Sequence, residues 1–392
     1  MLVRFKNSKL PIFLSATLIG NAIFLILSLL DWPLLRITKM RGPTDYQDLY
    51  AVFKYKKCFA DFGYSLTDRY LHQDCSGFIY NFQLLKALNL EFISKISPLE
   101  FQILQVTLYS TLFSFIFTYM ANTNKIKLLT LFLLVSPSSQ LLIERGNFDA
   151  LMIPIIVFSA IFIYEGKIFQ GALLIITGAM LKFYSLPLFL YVIQQSQKVI
   201  TKIVVSIVFL ITALISIHEY QLLRDDTLRT YCCSYGNDLF GLYLIRLGMN
   251  INQNTVPLIG LMFLILLTFI LNSSYHPRIK SLVPEIEFSR SSEFYFFSSL
   301  ILIFFSLYFA GTNFDYRLQI LSIAQLVYIN SLCEDLNRRA HVVFFFLIQI
   351  FSYPSMDLQP VGDILITIYL ASYLTILPLF IKTLRKPKVH QV

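Results

Sequence analysis

Charged residues are scarce in this chain: they make up 14% of 392 positions, against 56% hydrophobic residues. With a mean hydropathy of +0.65, that scarcity excludes an ordinary water-soluble globule and points to a protein that crosses a bilayer many times. No His, Cys and Asp cluster has convincing metal-ligand spacing, so neither a metal nor a cofactor is expected. No internal repeat or low-complexity tract stands out, which weighs against a carrier built from two matching halves. Cysteines are few: Cys58 and Cys75 share one loop, Cys232 and Cys233 another, and Cys333 stands apart. Disulfides are permitted in the first two places, but spacing alone leaves the pairing open.

What the chain has in abundance is apolar runs long enough to span a membrane, for which roughly 20 residues suffice. The first, Pro11 to Leu30, follows "MLVRFKNSK" with Arg4, Lys6 and Lys9, so the amino terminus is expected in the cytoplasm. That run lacks a small-residue cleavage site and reads as an uncleaved helix rather than a signal peptide. A long polar stretch, Asp31 to Pro98, lies on the opposite side. Further spans are expected near 99–120, 127–143, 148–164, 168–193, 199–217, 256–272, 294–311, 315–331, 341–355 and 361–381.

The run from Ile168 to Ile193 decides the topology. It is long for one helix, carries Lys182 in its middle, and has Pro187 where a helix resists proline. Read as two half-spans meeting near "KFYSLP", it sends Lys198, Lys202, Arg278, Lys280, Arg290, Arg338, Arg339, Lys382, Arg385, Lys386 and Lys388 to one side of the membrane. Only Arg224, Arg229, Arg246 and Arg317 then fall on the other. The positive-inside rule puts the larger group in the cytoplasm. The fold expected is therefore all-α: a single integral-membrane bundle over 1–392 of about twelve segments. Both termini are inside, and the extracytoplasmic loops 31–98 and 218–255 carry interfacial helices. The net charge of +9 lies mostly in cytoplasmic loops, so it reports topology and anionic lipid rather than nucleic acid.

This topology gathers the polar chemistry on the outer face. Glu144, Arg145, Asn147 and Asp149 in "ERGNFD", Lys182 and Tyr184 in "KFYS", and Asn313, Asp315, Tyr316 and Arg317 in "GTNFDYR" all fall there. A charge at mid-helix costs about 2.5–3.5 kcal/mol on insertion scales, so these groups should face a water-filled or ligand-filled cavity. The repeated tripeptide Asn-Phe-Asp, at 147–149 and 313–315, suits helix initiation, with Asn as N-cap and Asp complementing the dipole. The arginines need more: free N–H groups at a helix start together with guanidinium groups make an anion site. Headgroup binding or snorkelling is the competing reading for Arg145, Arg317 and Lys182. The first outer loop carries Asp45, Asp48, Asp61 and Asp68 among many aromatics. The second reads equally as an amphipathic lid or a plain surface loop, with His218 and Glu219 at its membrane edge.

Three stretches in order carry a resemblance: "TDYQDLYAVF", then "ERGNFDALMIPIIVFSAIFIYEGKIFQGALLIITGAMLKFYSLPLFLYVI", then "TNFDYRLQIL". Together they resemble the GT-C class of membrane glycosyltransferases, and glycosyltransferase family 87 most of all. Ser185 stands where that family often has Pro directly after Tyr, with Pro187 two places on, and the tail beyond 335 matches no motif. The resemblance implies an enzyme of a bacterial inner membrane with its active site facing outward. It would transfer a sugar, with inversion, from a polyprenyl-phosphate carrier to a lipid or glycan acceptor. By position Asp45 matches the family's catalytic base, and Asp48 is the runner-up. Arg145, Lys182 and Arg317 would hold the carrier phosphate. Glu144, Asn147, Asp149, Tyr184, Asn313, Asp315 and Tyr316 would orient these cations or bind the sugar. A transporter, flippase or polymerase of lipid-linked sugars is the alternative from another class; its polar sites would sit nearer the midplane.

Overall fold

The computed structural model describes residues 9–29, 98–121, 123–136, 138–139, 142, 149–196, 198–223, 234–235, 238–252, 255–273, 292–309, 313–314, 318–332, 335–351 and 359–375. Among them are thirteen α-helices and one short strand pair. The helices are α1 (Leu10–Leu29), α2 (Pro98–Phe115), α3 (Asn124–Leu134), α4 (Asp149–Tyr164), α5 (Ile168–Leu181), α6 (Phe189–Gln195) and α7 (Val199–Leu223). They continue as α8 (Leu239–Arg246), α9 (Val256–Ser273), α10 (Ser292–Phe309), α11 (Leu318–Val327), α12 (Asp335–Phe351) and α13 (Gln359–Leu374). The strands β1 (Ser234–Tyr235) and β2 (Asn313–Phe314) pair antiparallel, Ser234 opposite Phe314 and Tyr235 opposite Asn313.

Local chemistry explains where the helices stop. After α4, Gly166 takes φ of 79°, a conformation that favours glycine. Gly166 N–H bonds to Ile163 C=O at 3.1 Å and Lys167 N–H to Phe162 C=O at 2.9 Å, a Schellman turn that reverses the chain into α5. The turn is tight because Gly171 of α5 has no Cβ; one built there would lie 2.6 Å from Ile163 Cγ1. Helix α3 begins at a Thr123 cap whose hydroxyl accepts from Ile126 N–H at 3.3 Å. It ends at Leu134, inside the expected span to 143, and helical residues resume at Ser138, Ser139 and Leu142. The following "SPSS" gives the reason: Ser139 Oγ bonds to Leu133 C=O and Ser139 N–H to Ser136 Oγ, so hydroxyls take over the backbone groups a helix would use.

The long run from Ile168 to Ile193 breaks and doubles back. Helix α5 ends at Leu181, Lys182 is extended at φ −153° and ψ 131°, and Phe183–Leu188 form a 3-10 turn containing Pro187. Ser185 Oγ donates to the carbonyl of Ile175 at 3.1 Å, a position nearly two turns back along α5. A chain continuing straight on could not make that bond. Absence of a side chain on Gly178 allows the approach, since a Cβ there would sit 3.0 Å from Ser185 Oγ. By helix rise the 14 residues of α5 cover about 21 Å, and the 3-10 turn plus α6 cover about 22 Å, two legs of equal length.

Side-chain contacts then order the ends of the bundle. Tyr191 of α6 donates to Ser298 near the start of α10 at 3.0 Å, so α10 ends, and α11 begins, at the end of the bundle that holds Lys182. Gln319 of α11 reaches Ser136 just after α3, and Gln349 of α12 reaches Ser322. Tyr243 of α8 bonds to Asp363 at the start of α13. Lys9 bonds to the Thr118 carbonyl at the opposite end. Of the described cations, Lys9, Lys125, Lys127, Lys167, Lys198, Lys202, Arg338 and Arg339 cluster toward that opposite end, whereas Lys182 and Arg246 stand at the other.

An apolar core is accompanied by apolar side chains on the outside. Helix α9 is apolar over its whole length, long enough to cross a membrane, and only 22% buried. Along α7, Ile200, Ile203, Val204, Ile207, Ile211 and Leu214 form an exposed stripe at helical spacing. Within the largely apolar interior lie Asp149, Lys182, Gln319, Gln325, His341, Gln349 and Asp363.

Candidate functional site at one end of the bundle

Of the residues the sequence singled out, two meet in the structure. Lys182 Nζ lies 3.0 Å from Asp149 Oδ2, with 6% and 0% of their side chains exposed. Their positions follow from the hairpin. Asp149 opens α4, whose N-terminal dipole favours an anion; Lys182 caps α5, whose C-terminal dipole favours a cation. Because α4 and α5 run antiparallel, the two complementary helix ends lie side by side and the charges are held face to face. Lys182 N–H also bonds to the Gly178 carbonyl at 2.7 Å, fixing its backbone. The pair joins the "ERGNFD" and "KFYS" segments, which are separated by an entire hairpin in sequence.

Other expected site residues are placed only in part or not at all. Asn313 lies in β2, which pairs with β1 from the second loop, so "GTNFDYR" and that loop meet at one end of the bundle. Tyr184 belongs to the 3-10 turn after Lys182. Asp45, Asp48, Glu144, Arg145, Asn147, Asp315, Tyr316 and Arg317 lie outside the described residues, as do all five cysteines.

Three buried polar groups were not singled out from sequence. The first is an uncharged network between the end of α3, the start of α11 and α12. Gln319 Nε2 donates to Ser136 Oγ at 3.1 Å and to Ser138 Oγ; Ser138 donates to Gln349 Oε1 at 2.9 Å; Gln349 Nε2 donates to Ser322. Ser139 joins it to Tyr109 of α2 at 2.9 Å. Second, Tyr243 of α8 donates to Asp363 Oδ2 at 2.8 Å, and the Thr367 hydroxyl bonds back to the Asp363 carbonyl. Third, in the half of the bundle nearer the basic end, His341 Nδ1 shares a hydrogen bond of 3.0 Å with Tyr369, which accepts from Tyr373 at 2.6 Å. The Tyr328 ring lies 4.7 Å from the His341 ring. The signal in sequence was single polar residues inside apolar runs: Gln319 in "RLQIL", Gln349 in "FLIQIF", His341 in "AHVVFFF" and Asp363 in "VGDILI". Once buried, each such residue needs a partner.

The chain matches no family model, no curated protein and no solved structure.

Proposed function

We propose that the chain is a multi-pass membrane glycosyltransferase that takes a sugar from a polyprenyl-phosphate carrier and transfers it on the extracytoplasmic face. The observation that carries this reading is the buried Lys182–Asp149 pair, which brings the two ends of the second resembling stretch's helical hairpin together at one end of the bundle. The membrane reading is supported by the apolar stripes facing outward on α7 and α9 and the polar groups facing inward. Topology is supported by the cations: eight at one end and two at the other match a cytoplasmic and an outer face.

In this reading the carboxylate of Asp45, or Asp48 in its place, takes the proton from an acceptor hydroxyl. The freed oxygen attacks the anomeric carbon from the face opposite the carrier. As that bond forms, the carbon–oxygen bond to the lipid phosphate breaks and its electron pair leaves with the phosphate, so configuration inverts. Lys182, with Arg145 and Arg317, stabilises the phosphate as its charge grows, an effect that is large where water is excluded. Asp149 holds Lys182 in place. The donor is the polyprenyl-phosphate sugar, and the acceptor is a lipid or glycan.

Two tests follow. Single cysteines in a Cys-free background should label from outside near Asp45, Gly146, Ser185 and Thr312, and only from inside near Lys125, Gln197, Lys280 and Arg338; Gln197 labelled from outside would sink the topology. Separately, Arg145→Gln, Lys182→Gln and Arg317→Gln should each weaken donor binding by roughly ten- to a hundredfold, the loss of one charge-assisted contact of about 1.5–3 kcal/mol. Unchanged donor affinity in all three defeats the phosphate clamp.

One observation favours the alternative of a transporter or flippase: the His341–Tyr369–Tyr373 cluster lies away from the outer end, and buried ionisable groups in membrane helices mark relay or transport paths. Movement of intact lipid-linked sugar across reconstituted vesicles, lost in His341→Gln, would decide for it.

A further inference from the structure

The serine and glutamine network has one open valence. Tyr109 donates to Ser139, Ser139 to the Leu133 carbonyl, Ser136 to a neighbouring serine, Ser138 to Gln349, and Ser322 to the Leu318 carbonyl. Both Gln319 amide protons go to serines. Gln319 Oε1 is buried and has no hydrogen-bond partner. Reversing the amide is the poorer arrangement: Ser136 could donate to the carbonyl, but Ser138, whose proton goes to Gln349, would oppose it, and both amide protons would lose their acceptors. A buried carbonyl oxygen without a donor is costly and calls for one. Its chemistry is selective, because a lone-pair acceptor repels a phosphate and suits a hydroxyl. Its position is selective too. Gln319 stands in the first turn of α11, two residues after Arg317, and its serine partners precede the "ERGNFD" segment.

Resting on the glycosyltransferase reading, we propose that Gln319 Oε1 accepts a hydroxyl of the donor's sugar ring. Ser136 and Ser138 hold the Gln319 amide through its two protons, which leaves its carbonyl for the sugar. The cations then bind the carrier's phosphate, and the uncharged network reads the sugar attached to it.

The test compares two probes on the purified full chain in nanodiscs: polyprenyl-phosphate hexoses (mannose, glucose and galactose) and the bare polyprenyl phosphate. For wild type, the best hexose-bearing carrier should bind about tenfold more tightly than the bare carrier, the worth of one buried hydrogen bond made good. Gln319→Met should bring that ratio close to one while leaving bare-carrier affinity unchanged. If Gln319→Met fails to fold, Gln319→Asn keeps the amide and withdraws the carbonyl by one methylene, and should lower the ratio likewise. Gln349→Met breaks the network away from the open carbonyl and should lower thermal stability while keeping the hexose preference. Retention of the preference in Gln319→Met overturns the proposal while the glycosyltransferase reading stands, since water would then suffice as the partner. Equal loss in Gln349→Met also overturns it, by making the network purely structural. Wild type that binds neither probe overturns the functional reading and this proposal together.

Discussion

Lys182→Met is expected to destabilise the folded protein by about 3–5 kcal/mol, because it removes the positive charge 3.0 Å from the buried Asp149 carboxylate. Asp149→Leu should do the same from the other side. The double variant is expected to recover most of the loss, since two apolar side chains of similar volume carry no unpaired charge and need no desolvation. Both side chains are almost fully buried and 3.0 Å apart, so neither has solvent to fall back on. Unfolding followed in detergent for the four proteins of the cycle measures the coupling directly. Additive losses would mean that the two charges are held by other partners and that the contact between α4 and α5 termini contributes little. The double variant should be stable yet unable to bind donor well, which separates the pair's part in folding from its part in holding phosphate.

Asp45→Asn is expected to lower sugar transfer by roughly 10²-fold or more, with the folded protein and donor binding preserved. The substitution keeps the size and hydrogen-bonding reach of the side chain and removes only its ability to take a proton. An acceptor hydroxyl is a poor nucleophile until that proton leaves. Turnover of Asp45→Asn and Asp48→Asn, measured at saturating donor, assigns the role: loss only in Asp48→Asn moves the base there, and full activity in both removes this loop from the chemistry.

The helical architecture was legible because backbone groups in a long apolar run, once shielded from water, must bond within the segment, and a helix satisfies them all. The fold-back after α5 was legible for a related reason. Lys182 and Pro187 are each poorly suited to the middle of a long helix, though the break came at Lys182 and the proline was absorbed into the 3-10 turn. The early end of α3 was missed because "SPSS" is polar only through hydroxyls, which an apolarity count passes over. Likewise the sequence singled out charges and so found Asp149 and Lys182, but not that they pair with each other. It passed over Gln319 and Gln349, which are single amides in two separate apolar runs and acquire meaning only when tertiary packing brings both to Ser138. Asp363 was invisible for another reason: its partner Tyr243 sits in a different loop helix, and no pattern local to either residue links them.

Transfer itself is the most direct test. The purified protein, in nanodiscs, is incubated with polyprenyl-phosphate sugars and an extract of membrane lipids and glycans, and the products are read by mass spectrometry. The expected result is release of bare polyprenyl phosphate matched by an acceptor heavier by one sugar, with transfer falling in Asp45→Asn or Asp48→Asn and in Lys182→Gln. Every carrier left intact, with the same intact carriers crossing the bilayer of reconstituted vesicles, would contradict a transferase and make the chain a mover of lipid-linked sugars.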